Sequence, residues 1–155
     1  MKAVQQKWVV IVAMAFMLCL AGLVISGTAF CAGGPQCVDN EDGTVTDNGS
    51  GLMWQKATIG RMKWEQAMSY TSGLSLGGHS GWRLPGKDEL MGLHNSPCKD
   101  MMVVRSSPLR DCFYWSSLNA NYGYHAWCVS FTRVGYANRH TKQARHNVRA
   151  VRWAY

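Results

Sequence analysis

Asp42-Gly-Thr-Val-Thr-Asp47, followed by the turn Asn48-Gly-Ser-Gly51 and by Leu52-Met-Trp-Gln-Lys56, is the stretch that decides the fold. Asp-Gly between alternating runs is a strong short hairpin signal, because the turn needs positive φ. Cys37-Val-Asp-Asn40 supplies the strand before the turn and Thr44-Val-Thr-Asp47 the strand after it. Asn48-Gly-Ser-Gly51 turns the chain again into the strand Leu52–Gln55. The acidic turn is not read as a calcium loop. Aligning Gly43 with the glycine of an EF-hand places Val38 where the first ligand must be Asp.

Downstream, Trp64, Ala67, Met68, Thr71 and Leu74 recur at helical spacing and predict an amphipathic helix over 63–74. The loop Gly77-Gly-His-Ser-Gly81 falls short of a nucleophile turn, since Trp82 stands where the last glycine belongs. Pro85 ends Trp82-Arg-Leu and opens a second helix from Lys87 to about His94, with Asp88 and Glu89 in its favourable first turn. An irregular loop is expected over 95–111, then strands at 113–118, 125–132 and 147–153. Hairpin first, helices next and strands last is an α+β order.

The first thirty residues point to export. Lys2 and Lys7 precede an uncharged stretch from Trp8 to Phe30 that closes on the small residues Ser26-Gly-Thr-Ala29. Cleavage after Ala29 fits the small-residue rule, and cleavage after Ala32 fits it less well because Phe30 lies three residues upstream. Residues 1–32 are therefore expected to be a signal peptide, with an uncleaved anchor through residues 8–30 as the alternative. The remainder, 33–155, is one domain's worth of chain, and its tryptophans 54, 64, 82, 115, 127 and 153 are expected to supply much of the core. In an oxidising compartment Cys37, Cys98, Cys112 and Cys128 read as disulfides, with Cys98–Cys112 and Cys37–Cys128 the favoured pairing. A zinc cluster built from His94, Cys98, His125 and Cys128 is the rival reading. It lacks a Cys-x-x-Cys pair, so no metal is expected.

Six motifs now stand in order: Asp42-Gly-Thr-Val-Thr-Asp47, Gly51-Leu-Met-Trp-Gln-Lys56, Trp82-Arg-Leu-Pro85, Tyr114-Trp-Ser-Ser117, Ala126-Trp-Cys-Val-Ser-Phe131 and Val148-Arg-Ala-Val-Arg152. In combination they resemble the C-terminal domain of the Legionella collagen-like adhesin, over nearly all of 37–153. The resemblance implies a C-type-lectin-like fold, with an N-terminal β-hairpin, two helices and a twisted antiparallel sheet of late strands. It also implies an exported bacterial module of adhesive type, with sulfated glycosaminoglycans as the ligand class. Thr71 and Ala150 stand where many relatives carry cysteines, so a bridge from helix to last strand is replaced by packing. Gly86 stands where a Thr or Ser cap is usual. The collagen-like region is missing, so trimerisation does not carry over. The Glu-Pro-Asn and Trp-Asn-Asp motifs of calcium-dependent lectins are also missing.

Charge supplies the functional expectation. Residues 33–100 hold six basic and eight acidic side chains, net −2, whereas 101–155 hold eight basic and one acidic, net +7. The densest stretch contains Arg133, Arg139, His140, Lys142, Arg145 and His146 in a segment rich in Gly, Asn and Thr that reads as a loop, and the first five are the candidate polyanion ligands. Arginine forks suit sulfate and phosphate oxygens, and a one-signed surface attracts polyanions. The expected ligands are sulfated glycosaminoglycan, lipopolysaccharide or extracellular DNA, bound in the periplasm, at the cell surface or outside the cell. Tyr122, Tyr124 and Tyr136 lie near this segment and suit stacking on sugar rings, or else core or surface positions. Arg83, Arg149 and Arg152 are expected to pair inside the fold with Glu65, Asp88 or Glu89. No cofactor and no catalytic group is expected. Two alternatives stand beside the binding module: a structural subunit of an envelope or fibre assembly, and a cysteine-dependent enzyme of formylglycine-generating type using Cys112 or Cys128.

Overall fold

The computed structural model describes residues 34–102 and 112–155. The signal or anchor expected over 1–32 lies outside these, as does much of the expected loop over 95–111. Among the described residues no helix is long and apolar enough to cross a membrane.

The opening hairpin forms as its residues dictate. Strand β1 (Cys37–Asp39) pairs antiparallel with β2 (Thr44–Asp47), with Asp39 opposite Val45. Gly43 takes the positive φ of 89° that the turn requires, and the Asp42 carboxylate accepts hydrogen bonds from the Thr44 amide and hydroxyl. β2 then pairs with β3 (Leu52–Gln55), whose outer neighbour is the last strand, β9 (Val151–Trp153). All four residues of β3 are buried, so both faces of this first sheet are covered there. On one face Leu52 and Trp54 join Val45, Leu90, Leu93, Tyr114, Val129 and Val151. On the other, Met53 packs with Trp82 and Ala150. Full burial of each large apolar side chain contributes about 1.5–3 kcal/mol relative to exposure.

Helix α1 (Trp64–Ser72) and helix α2 (Lys87–Asn95) fall close to where the spacing places them. Although Gly86 offers no capping side chain, its amide donates to Glu89 Oε2 at 2.7 Å, so the third helical residue secures the N-terminus. Trp64 and Ala67 of α1 pack onto Leu84, Trp115, Ala126, Cys128 and Val148. The Thr71 hydroxyl donates to the Ala67 carbonyl, and Thr71 and Ala150 are both buried, so packing fills the two positions for which the resemblance implied a bridge.

The second sheet departs from expectation. Its order is β4 (Ile59–Met62), β8 (His146–Val148), β5 (Phe113–Ala120), β6 (His125–Ser130), β7 (Tyr136–Thr141). It is mixed, not wholly antiparallel, because β8 runs parallel to β5 at Tyr114 and Asn147. It also recruits the early strand β4. The single strand expected over 147–153 is two strands: β8 belongs to this sheet and β9 to the first, with Arg149 and Ala150 at the step between them. The expected basic loop is likewise largely a strand, β7, fully paired with β6 from His125–Thr141 to Ser130–Tyr136. Gly135 makes the turn before it, with φ 60°, and a Cβ there would stand 2.4 Å from the His94 ring.

The disulfide pairing is corrected. Cys37 is bridged to Cys98 of the 3₁₀ helix Pro97–Met101, with Cα atoms 5.2 Å apart. The bridge ties the first strand to the chain leaving α2, and it removes both favoured pairings, Cys98–Cys112 and Cys37–Cys128. Cys112 and Cys128 are thiols. They do not bridge to each other, because the β5–β6 register sets Cys128 opposite Trp115, three positions from Cys112. Three strand residues span about 10 Å, beyond the roughly 7 Å limit for a disulfide.

Candidate functional site

The basic residues of the C-terminal half divide into groups with different duties. Arg149 is 1% exposed. Its Nη1 donates to the carbonyls of Gln55 and Lys56, both at 2.7 Å, and its Nη2 donates to the Thr58 hydroxyl at 2.9 Å. Its guanidinium lies 5.5 Å from the Tyr114 ring centroid. Burial pushes its pKa below the ordinary arginine value, the nearby Tyr114 opposing the shift. Arg149 thus has the structural role expected, through carbonyls and a hydroxyl where a carboxylate was anticipated. Arg83 does pair as expected, in a two-pronged contact with Glu89 at 2.8 and 2.6 Å. The hydrogen bond from Arg83 is the main reason that the Glu89 carboxyl titrates below its usual range. Arg152 is half-buried, and its Nε donates to the Trp153 carbonyl at 2.9 Å where a carboxylate was expected.

Of the five residues expected to meet a polyanion, Arg133, Arg139 and Arg145 are exposed, and His140 and Lys142 are half-buried. Lys142 is committed to the fold: its ammonium sits 3.8 Å from the Trp64 ring centroid and 3.7 Å from Glu65. His140 turns away from Arg139, as strand alternation demands. Its Nδ1 lies 2.7 Å from His146 Nε2. Arg145 lies in the turn between β7 and β8, where its backbone carbonyl accepts from Arg61 Nε and brings the Arg61 guanidinium to that turn. Arg133 lies in the turn between β6 and β7.

Arg139 is the centre of a different arrangement. Strand pairing sets it opposite Trp127, and its guanidinium lies 5.5 Å from that ring centroid. Lys87, at the start of α2, places its ammonium 5.1 Å from the same ring. Trp127 therefore holds two cations by their attraction to the negative ring face. Lys87 also lies 3.4 Å from the highly exposed Asp88 carboxylate, a contact that water and salt weaken. Arg139 Nη1 donates to Asn121 Oδ1 at 3.2 Å, which joins it to the turn between β5 and β6. In that turn Asn121 and Tyr122 both have positive φ, 47° and 53°. For a bulky residue such as tyrosine this conformation costs on the order of 1–2 kcal/mol. It leaves Tyr122 fully exposed and Tyr124 78% exposed. Four of the domain's tryptophans (54, 64, 82 and 115) are core, whereas Trp127 is half-buried and Trp153 is 61% exposed.

A cleft of about 660 Å³ lies between the first sheet and α2, lined in part by Asp47, Trp54, Asp88, Glu89 and Trp153. Its sign is wrong for a polyanion. Its carboxylates also have local duties: Asp47 accepts from the Gly49 amide and the Ser96 hydroxyl, and Glu89 is held by Arg83. The metal cluster weighed from sequence does not assemble, since Cys98 is in the disulfide and the His94 ring nitrogen Nε2 lies against the Thr132 carbonyl. A different set does meet. Cys128, His140 and His146 bring one ligand atom each to within 4.8 Å of one another. Sequence reading marks Cys128 as a disulfide or zinc candidate and His140 and His146 as part of the basic stretch, and no short motif joins the three.

The fold is a two-sheet α+β domain that displays charge and aromatic rings on its strand turns. The chain belongs to the Lcl C-terminal domain family, whose model matches residues 43–152, from inside the first motif to the end of the last. That family is associated with an adhesin. No curated protein matches the chain.

Proposed function

We propose that this domain is an exported adhesion module that holds sulfated or otherwise polyanionic glycans on the surface around Arg139, on a C-type-lectin-like scaffold. The observation that carries the reading is the fixed position of Arg139, between the Trp127 ring and the Asn121 amide and beside the exposed Tyr122 and Tyr124. Ordering a long cationic side chain before the ligand arrives removes part of the entropic cost of binding. Tyrosine faces suit the apolar faces of sugar rings, while the guanidinium fork suits sulfate. Arg61 and Arg145 offer a second cationic point for a polymer long enough to reach it. The adhesin association of the family supports placement outside the inner membrane, in the periplasm, at the surface or beyond, with membrane contact only through residues 8–30 if they are retained. The same support favours binding over catalysis.

The test is retention of the chain on immobilised heparin, with lipopolysaccharide and duplex DNA as parallel matrices. Arg139→Glu is expected to elute at clearly lower salt than the unsubstituted chain, and Tyr122→Ala to weaken retention on glycan more than on DNA. Unchanged retention of Arg139→Glu overturns the reading. So does passage of the unsubstituted chain through all three matrices at low salt.

A further inference from the structure

Cys128, His140 and His146 come from three different strands, β6, β7 and β8, yet their side chains converge on one face of the second sheet. Phe113 lies beneath them, its ring 4.8 Å from that of His140 and 5.5 Å from that of His146, and the Trp115 ring is 4.4 Å from His146. Cys128 is fully buried and His146 is 3% exposed, while His140 is half-buried and forms the open side of the group. The ring nitrogens His140 Nδ1 and His146 Nε2 face each other at 2.7 Å. The remaining His140 nitrogen lies 3.3 Å from the Asn138 side-chain amide.

We propose that Cys128, His140 and His146 form a binding site for one borderline-soft transition-metal ion, zinc or copper. Thiolate with two imidazoles is a donor set that favours these ions over magnesium, calcium or manganese. Ideal tetrahedral bonds of about 2.0–2.1 Å to nitrogen and 2.3 Å to sulfur require nitrogens roughly 3.3 Å apart and sulfur roughly 3.6 Å from each. The facing nitrogens, 2.7 Å apart, must therefore separate by about 0.6 Å, and the sulfur, within 4.8 Å of them, must approach by up to about 1.2 Å, shifts that side-chain rotation provides. Three protein ligands leave a fourth position, on the His140 side, for water or an outside ligand. The Asn138 amide is placed to orient the His140 ring from the second layer.

Binding is balanced by one proton. The Cys128 thiol gives its proton to solvent and binds as thiolate. The proton held between the facing nitrogens moves to a ring nitrogen that does not coordinate, so both imidazoles stay neutral. Affinity therefore falls as pH falls.

The full-length chain, stripped with chelator, is titrated with cobalt(II) as the spectroscopic substitute for zinc, then with zinc and in parallel with copper(II). The expected result is one equivalent of cobalt with a thiolate-to-metal charge-transfer band and tetrahedral d–d bands, both lost on addition of zinc. A visible thiolate-to-copper band and tighter copper binding would assign the ion as copper. Cys128→Ser is expected to abolish the charge-transfer band. His146→Gln and His140→Gln are expected to weaken binding by more than the roughly 10–100-fold that outer-layer changes cost. Cys112→Ser is expected to leave the spectrum intact. Zinc should raise the melting temperature of the unsubstituted chain and leave that of the ligand variants unmoved, a readout that shows each variant to be folded. His140→Gln, at the half-buried position, serves if the buried variants fail to fold. Absence of a charge-transfer band in the unsubstituted chain, or its survival in Cys128→Ser, overturns the proposal. Heparin retention is independent of this outcome, since Arg139 lies on the other side of β7.

Discussion

Arg149→Ala is expected to lower the stability of the domain by about 3–5 kcal/mol, the range of a large-to-small change in a core compounded by loss of buried hydrogen bonds. Domains have only about 5–15 kcal/mol in total. The substitution removes the donor from the Gln55 and Lys56 carbonyls and from the Thr58 hydroxyl, and it empties the space against Tyr114. These contacts join the end of β3 and the chain leading to β4 with the step between β8 and β9, so they hold the two sheets together. Arg149→Met refills much of the volume without the donors and is expected to fall between alanine and the native chain. Urea midpoints of the three proteins check this. A midpoint unchanged in Arg149→Ala would mean that the guanidinium does not carry the connection.

Removal of the Cys37–Cys98 bridge by the double change Cys37→Ser with Cys98→Ser is expected to cost about 4 kcal/mol. The bridge closes a sequence separation of 61 residues, and the loop-closure relation gives that magnitude for a loop of this size. The loss should appear equally in the native chain treated with reductant. Peptide mapping of the oxidised protein should recover Cys37 linked to Cys98. A peptide linking Cys98 to Cys112 would contradict the bridge, which already occupies Cys98.

The parts of the fold that were legible in the sequence are local ones. The hairpin about Asp42-Gly43, both helices and the 113–118 and 125–132 strands each declare themselves within a dozen residues, through turn chemistry or periodicity. What escaped is decided by distant partners. Ile59–Met62 shows no alternation, and becomes β4 only because β8 lies beside it with a shifted register. The division of 146–153 between two sheets is invisible in a run that reads as one strand, and Arg149 at that step reads as an ordinary strand arginine until its carbonyl partners are in place. Disulfide pairing depended on which strand the Cys98 turn meets.

The candidate surface was half legible for the same reason. Arg139 was marked by charge density, and Tyr122 and Tyr124 by proximity in sequence. Lys87 and Trp127 come to Arg139 from another helix and another strand, and no spacing announces them. Alternation along β7 separates His140 from Arg139, a separation hidden while the segment read as a loop. Lys142 fell to Trp64 and Glu65 because α1 packs there.

The central claim is polyanion recognition by the Arg139 surface, and the salt dependence of heparin affinity tests it most directly. Measured for the full-length chain by titration across a range of sodium chloride, log affinity is expected to fall linearly with log salt, by the counterion-release relation. Arg139→Glu is expected to reduce the slope by roughly 1 or more, and uncharged dextran should not bind. A salt-independent affinity, or a slope identical in Arg139→Glu, would contradict the account.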